Sequence, residues 1–371
     1  MKITCPTKHL KEILALTSKG VKKNSSIPSL ECIRVATSEI GIELTATDYE
    51  MEIRCAMGCH VDLTGEVILP AKRFMEVIGS FNGAEVGLTV KDQIASLKCG
   101  RSTFRLSAYG SEMPVLPATD EAIGLILPQS LLRDMFEKVE CAMGNDANRP
   151  ILNGARFILA EGQVEMAASD THVLAVYPLQ LDGDDLPAFD CTIPRRTVTE
   201  IQNFLSKDED EDVEIVVDQS QIEFRTPFYT IKSRLLQGRA IDYRRVVPRD
   251  PEAHFVLDRI SFLETVKRLD VLAKEEVHRF RLQLGDQDAR FEVTAAGIGD
   301  ADESISCQGE KIDKFYEIWL HTKQVASILD SFQGNKVNLH YTAANKPLIF
   351  SPEAGAHYAL VMPMVAPGVP G

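Results

Sequence analysis

The sequence predicts an α+β protein built three times over, each similar domain carrying two helices packed on antiparallel sheets. Three observations lead there: two helix-period stripes recur in a fixed order, alternating stretches with turn signals lie between them, and each unit is long enough for its own core. At 371 residues the chain exceeds one ordinary core. Its composition, 44% hydrophobic and 25% charged, is globular.

The first stripe opens each unit. In "PTKHLKEILALTS" from Pro6, Leu10 and Leu14 answer to Leu132 and Phe136 of "PQSLLRDMFEKVE" and to Phe262 and Val266 of "LDRISFLETVKRL". Strands follow, with period two and a turn signal upstream: Ile42, Leu44 and Ala46, then Val164, Met166 and Ala168, then Phe291, Val293 and Ala295. A second helix comes next. Phe74, Val77 and Phe81 recur 124 positions on as Val198, Ile201 and Leu205, and a further 127 on as Val325, Ile328 and Phe332. Helices with one apolar stripe must lie against a sheet, so the expected domains are 1–120, 121–250 and 251–371. Their joints are "YGSEMPVLPATDEA" and "RVVPRDPEAH", both rich in proline and acids.

Net charge is −14, yet the six helical segments sum to +3 and the remainder to −17. Such a protein could offer its helices to a polyanion, although Lys and Arg also favour helices for their own sake. The eight cysteines are scattered without a C-x-x-C pair, as buried reduced thiols would be. "MKITCPTKHL" lacks an apolar leader core and no uncharged apolar run reaches membrane length, so a cytoplasmic protein that neither leaves the cell nor spans a membrane is expected.

Enzyme signals are weak. "GIGDAD" is not a phosphate loop, "LDGDD" lacks the ligands of a calcium loop, and neither a metal-ligand spacing nor a cofactor motif is present. Ser169, Asp170 and His172 cluster in "AASDTHVLAVYPL" without a nucleophile elbow or a third group, which favours a hydrogen-bonded turn over a hydrolase triad. "LLQGRAIDYRRVVPRD" gathers arginines around one tyrosine, as an ion-paired linker or a ligand site would.

"LNGARFIL", "ASDTHVLAV", "IPRRTVTEI", "GRAIDYRRVVP" and "YALVMPM", in this order, resemble the bacterial DNA polymerase III beta subunit, the sliding-clamp family; "LTATDYEMEIR" and "GRSTFRLS" in the first unit do so too. The resemblance spans essentially the whole chain. It implies three clamp domains per chain and a ring of six domains formed by a head-to-tail dimer, with helices facing enclosed double-stranded DNA held without sequence reading. Lys22, Lys23, Lys72, Arg73, Arg149, Arg195 and Arg196 would face that DNA. Phe104 and Leu106 would meet Val271 and Leu272 of a second copy. An apolar pocket would take short peptides from the polymerase alpha subunit, the clamp loader delta subunit and other proteins with a clamp-binding motif. Its walls would be Leu152, Ser169, Thr171, His172, Val173, Leu174, Ile241, Arg245, Val246, Leu360, Met362, Pro363 and Met364, where methionines suit many ligands. No catalysis, metal or cofactor is implied. The chain departs from the family pattern at Thr171 and Val173, where Gly and Arg are usual, and at Ile151, where an aromatic is common. A divergent or accessory clamp acting as an interaction scaffold is the alternative.

The ending "HYALVMPMVAPGVPG" carries no charged side chain after His357. Tyr358 to Met364 reads as a last strand and pocket wall. Val365 to Gly371 would either cover the pocket or be disordered, and its glycines favour disorder.

Overall fold

A computed structural model describes the chain except residues 40, 111, 120, 121, 182–187, 209, 210, 241, 311–313 and 368–371. It divides into two compact units, Met1–Arg133 with Arg196–Leu235, and Asp134–Arg195 with Leu236–Gly371. The helices are α1 (Thr7–Thr17), α2 (Ala71–Ser80), α3 (Gln129–Val139), α4 (Arg195–Ile201), α5 (Arg259–Ala273) and α6 (Thr322–Ser331). Each directly follows a strand. Four of those strands end in proline, at Pro6, Pro70, Pro128 and Pro194, where a fixed φ suits the turn into a helix and no N–H is wanted. Before α5, Asp258 caps instead, accepting a hydrogen bond from Ser261 N at 2.7 Å. The stripes are buried as expected: Leu10 and Leu14, Leu132 and Phe136, Phe262 and Val266 all lie in the core.

One cation per repeat closes the end of the second helix. Lys11 Nζ reaches Gly79 O (3.0 Å) and Phe81 O (2.6 Å), Arg133 Nη1 reaches Gln202 O (2.6 Å) and Leu205 O (3.1 Å), and Arg259 reaches Leu329 O (2.8 Å) and Gly334 O (2.7 Å). These donors satisfy carbonyls that the helix leaves without partners. Part of the basic bias of the helical segments is therefore structural.

In the first unit an eight-stranded sheet runs in the order Ile123–Pro128, Asp212–Val217, Gln221–Arg225, Tyr229–Arg234, Met51–Gly58, Gly41–Thr47, Cys32–Ser38, Glu66–Pro70. A five-stranded sheet in the same unit ends on the edge strand Ser102–Ser107. In the second unit a twelve-stranded sheet continues from Val173–Gln180 into Tyr358–Val361. Each large sheet is thus shared by two consecutive repeats, which is why three repeats in sequence give two compact units. Ladder partners also refine the repeat. Cys32 faces Pro70 as Arg279 faces His321, and Arg34 faces Thr45 as Arg281 faces Glu292. The third-repeat counterparts of Ile42, Leu44 and Ala46 are therefore Ala289, Phe291 and Val293, two residues before the set that hydropathy alone aligns, on the same face.

Candidate functional site

The strands that join repeats form two seams of identical register. In the first seam, Tyr229–Arg234 pairs with Met51–Gly58 and puts Lys232 opposite Glu52; in the second, Tyr358–Val361 pairs with Val173–Gln180 and puts Leu360 opposite Leu174. Glu52 and Leu174 hold equivalent places in their repeats, as do Lys232 and Leu360. One position is charged and its counterpart is apolar.

The first seam is sealed. Glu52 is 1% exposed, accepts from Leu116 N at 2.8 Å and pairs with Arg54 at 2.6 Å, while Lys232 donates to Pro117 O at 3.0 Å and lies 3.5 Å from Glu223. The joint between repeats is thereby strapped onto the sheet. Burial alone would raise the Glu223 carboxyl, but Arg225 and Lys232 override it and hold it below the usual range.

The second seam is apolar. Leu174, Val176, Leu360, Ala167 and Tyr243 form a buried cluster with Val247, Ile349 and Tyr358 against it. Beside it opens a cleft of about 30 Å³ lined by Ile151, Leu152, Gly154, Arg156, Ala167, Ala168, Ser169, Thr192, Ala240 and Tyr243. Its polar rim is spoken for: the Tyr243 hydroxyl donates to Glu165, Arg244 pairs with Glu165 at 3.0 Å, and Arg156 pairs with Asp190 at 2.6 Å. Burial, then Glu165, pushes the Tyr243 phenol well up, so it stays a neutral donor.

Of the pocket walls expected from sequence, Leu152 and Ser169 line this cleft, whereas Leu174 and Leu360 belong to the buried apolar cluster beside it. Val173 is buried; His172, Arg245 and Val246 are exposed; Thr171, Met362, Pro363 and Met364 are half-buried. Met362 N donates to His172 O at 2.8 Å, which ties the chain ending to the 169–173 turn. Ile241 lies outside the described residues. Sequence reading missed the cleft's small-residue floor (Ala167, Ala168, Ala240) and Tyr243; alternation and the lone tyrosine amid arginines were the available signals. The tail is anchored at its start. Met364 N donates to Trp319 O at 2.8 Å and Arg279 donates to Val365 O at 3.2 Å, whereas 368–371 lie outside the described residues.

The turn at 169–173 settles how Asp170 is used. Its Oδ1 accepts from His172 N (2.8 Å) and Val173 N (2.7 Å), and Ser169 Oγ donates to Val173 O at 2.8 Å. The first repeat builds the same turn with Thr47 and Asp48, whose Oδ1 accepts from Glu50 N (3.0 Å) and Met51 N (2.8 Å). A carboxylate so engaged orients a loop rather than a base. Thr171 has φ 82° and Tyr49 has φ 74°, both in a region that favours glycine.

The other expected sites divide by partner. Lys22, Lys23 and Lys72 are exposed and make no ion pair among the described residues. Arg73 pairs with Glu76 at 2.7 Å and Arg149 with Asp146 at 2.9 Å. Arg195 donates to Met143 O at 2.8 Å, and Arg196 pairs with Asp48. Phe104 is 43% exposed on an edge strand and packs edge-on against Phe81; Val271 is 64% exposed at the end of α5, beside half-buried Leu272. Among the described residues no helix is long and apolar enough to cross a membrane.

Three family models cover nearly all of the chain: the N-terminal, central and C-terminal domains of the DNA polymerase III beta subunit match residues 1–117, 126–242 and 244–365. A beta sliding clamp of Halalkalibacterium halodurans is 27% identical over 349 residues, covering 90% of this chain and 91% of the relative. The crystal structure of the DNA polymerase III subunit beta from Pseudomonas aeruginosa superposes with a TM-score of 0.92 at 25% identity, covering 98% of this chain and 100% of that one. The DNA polymerase sliding clamp from Bacillus subtilis gives 0.90 at 24% identity, with 99% of each chain covered.

Proposed function

The chain belongs to the DNA polymerase III beta subunit family and is a sliding clamp, a processivity factor without catalysis of its own; from that premise we propose how its residues do the work. The observation that carries the reading is the shared register of the two seams. The last strand of each later repeat pairs with the fourth strand of the repeat before it. That leaves two open edges: the last strand of the first repeat, Ser102–Ser107, and the 299–306 part of Gly299–Gly309 in the third. Extending the register pairs them between two copies, with Arg105 opposite Asp300, Phe104 opposite Ala301 and Leu106 opposite Gly299. Arg105 holds the place of Lys232 and Leu360, and Asp300 that of Glu52 and Leu174, so the third seam again joins opposite charges. Pairing also covers an edge that would otherwise invite aggregation. Val271 holds the place of Lys19, which pairs with Glu200 of α4 at 3.1 Å, and of Cys141, beside Lys138, whose Nζ donates to Ser331 O of α6 at 2.8 Å. Val271 and Leu272 then pack on α2 of the second copy, head to tail at both ends of a six-domain ring.

In the ring the domains 1–120, 121–250 and 251–371 turn their helices toward double-stranded DNA. Lys22, Lys23 and Lys72 supply mobile charge, with Arg73, Arg149, Arg195 and Arg196 held more firmly by their own partners. Few unengaged cations and no base reading suit enclosure and sliding. The cleft of the second seam receives peptide tails of the polymerase alpha subunit, the clamp loader delta subunit and other clamp-binding proteins in the cytoplasm, and Thr171, His172, Val173, Arg245, Val246, Met362, Pro363 and Met364 would extend its walls. The test is retention after loading. The protein stays on nicked circular DNA and is lost once the circle is cut; equal retention on both forms would overturn the ring.

A further inference from the structure

We propose that His254 and His340 form a two-imidazole site for a borderline divalent transition-metal ion of the Zn²⁺, Ni²⁺ or Cu²⁺ class on the third repeat's sheet. The two residues face each other across the strands Ala253–Asp258 and Lys336–Tyr341. His254 O accepts from Glu310 N at 3.3 Å on the far side of its strand, so its main-chain groups point away from His340. The phase of the ladder agrees, since Arg259 N donates to Asn335 O at 2.7 Å. Such a non-hydrogen-bonded pair brings the Cα atoms to about 4.5 Å and the side chains closer than its neighbours do. The ring centroids lie 4.8 Å apart, tilted by 32°. His340 Nε2 is 3.2 Å from Ser351 Oγ. In the tautomer whose Nε2–H donates to that hydroxyl, Nδ1 keeps a free lone pair, the outer-shell arrangement of metal-binding histidines.

Both rings are half-exposed, so an ion and its waters can reach them. The neutral imidazole is the form that binds such an ion. Among the described residues no group of three or more His, Cys, Asp or Glu converges as a metal nest, so water completes the coordination. Two nitrogens favour imidazole-binding ions over Mg²⁺, which takes oxygen ligands. A bound ion staples the strand leading into α5 to the strand that follows α6.

The test uses the full chain and NiCl₂ as the probe, read by isothermal titration. One ion per chain is expected, with affinity lowered at least tenfold by His254→Ala or His340→Ala, several-fold by Ser351→Ala and not at all by His9→Ala. His340→Asn, which keeps a hydrogen bond to Ser351 but removes the imidazole, must lose the ion as His340→Ala does, so misfolding is not mistaken for loss of a ligand. Cu²⁺ binds more tightly than Ni²⁺ and Mg²⁺ does not bind. At tenfold excess over its dissociation constant, Ni²⁺ raises the unfolding midpoint by roughly 3 °C in the native sequence. No binding at millimolar Ni²⁺, or the same affinity in His340→Ala, would overturn the site.

Discussion

The two seams within the chain have one backbone and opposite chemistry. In the first, Glu52 and Lys232 are buried and strapped by the 116–117 main chain, with Glu223 buried near Lys232; in the second, the equivalent places hold Leu174 and Leu360 beside an open cleft. The fold tolerates either filling. Its apolar version is therefore a property of that seam and not a demand of the architecture, which is the physical case for reading the second seam as a docking site and the first as a joint.

The first seam is most sensitive at Glu52. Glu52→Ala leaves the buried Leu116 N–H without its acceptor and Arg54 without its carboxylate, and about 1–3 kcal/mol of stability is lost in guanidinium denaturation. At the second seam, Met362→Ala spares the fold and weakens a polymerase-tail peptide by about 1–3 kcal/mol in fluorescence titration, because the residue is half-buried against the 169–173 turn rather than core. Thr171→Gly releases the φ of 82° and stabilises the chain by roughly 1 kcal/mol in the same denaturation assay. The seams also part with pH. His357 opens the strand Tyr358–Val361, stacked on Tyr177 and against Phe332; burial first, then Lys138, lowers its pKa from 6.5, with Asp134 opposing. Its folded pKa lies below the unfolded one, so its contribution is complete above pH 6.5 and is lost as pH falls through that value toward the folded pKa. Glu223, depressed from 4.5, keeps its contribution until pH falls below that value. Hydrogen exchange between pH 7 and 4.5 should show the second seam loosening before the first.

Much of the fold was legible because helix stripes are local. Leu10, Leu132 and Phe262 repeat in hydropathy and in burial alike. Strand partners were less legible, as the two-residue misalignment at Phe291 shows: period two fixes a face but not a register, and the register came from ladders anchored at Pro70 and His321. Candidate pocket residues were named through family resemblance rather than spacing. The charge bias of the helices is structural in part, since Lys11, Arg133 and Arg259 cap carbonyls that lie tens of residues away in sequence. Nothing local could reveal the opposition of Glu52 to Lys232 or of His254 to His340.

One register serves three seams in the proposed ring, the third between two chains. Sedimentation of charge-reversed variants tests it most directly. Arg105→Glu should sediment as a monomer at concentrations where the native chain is a dimer, and Arg105→Glu combined with Asp300→Arg should restore the dimer. A single variant that stays dimeric, or a double variant that remains monomeric, would contradict the pairing of Arg105 with Asp300.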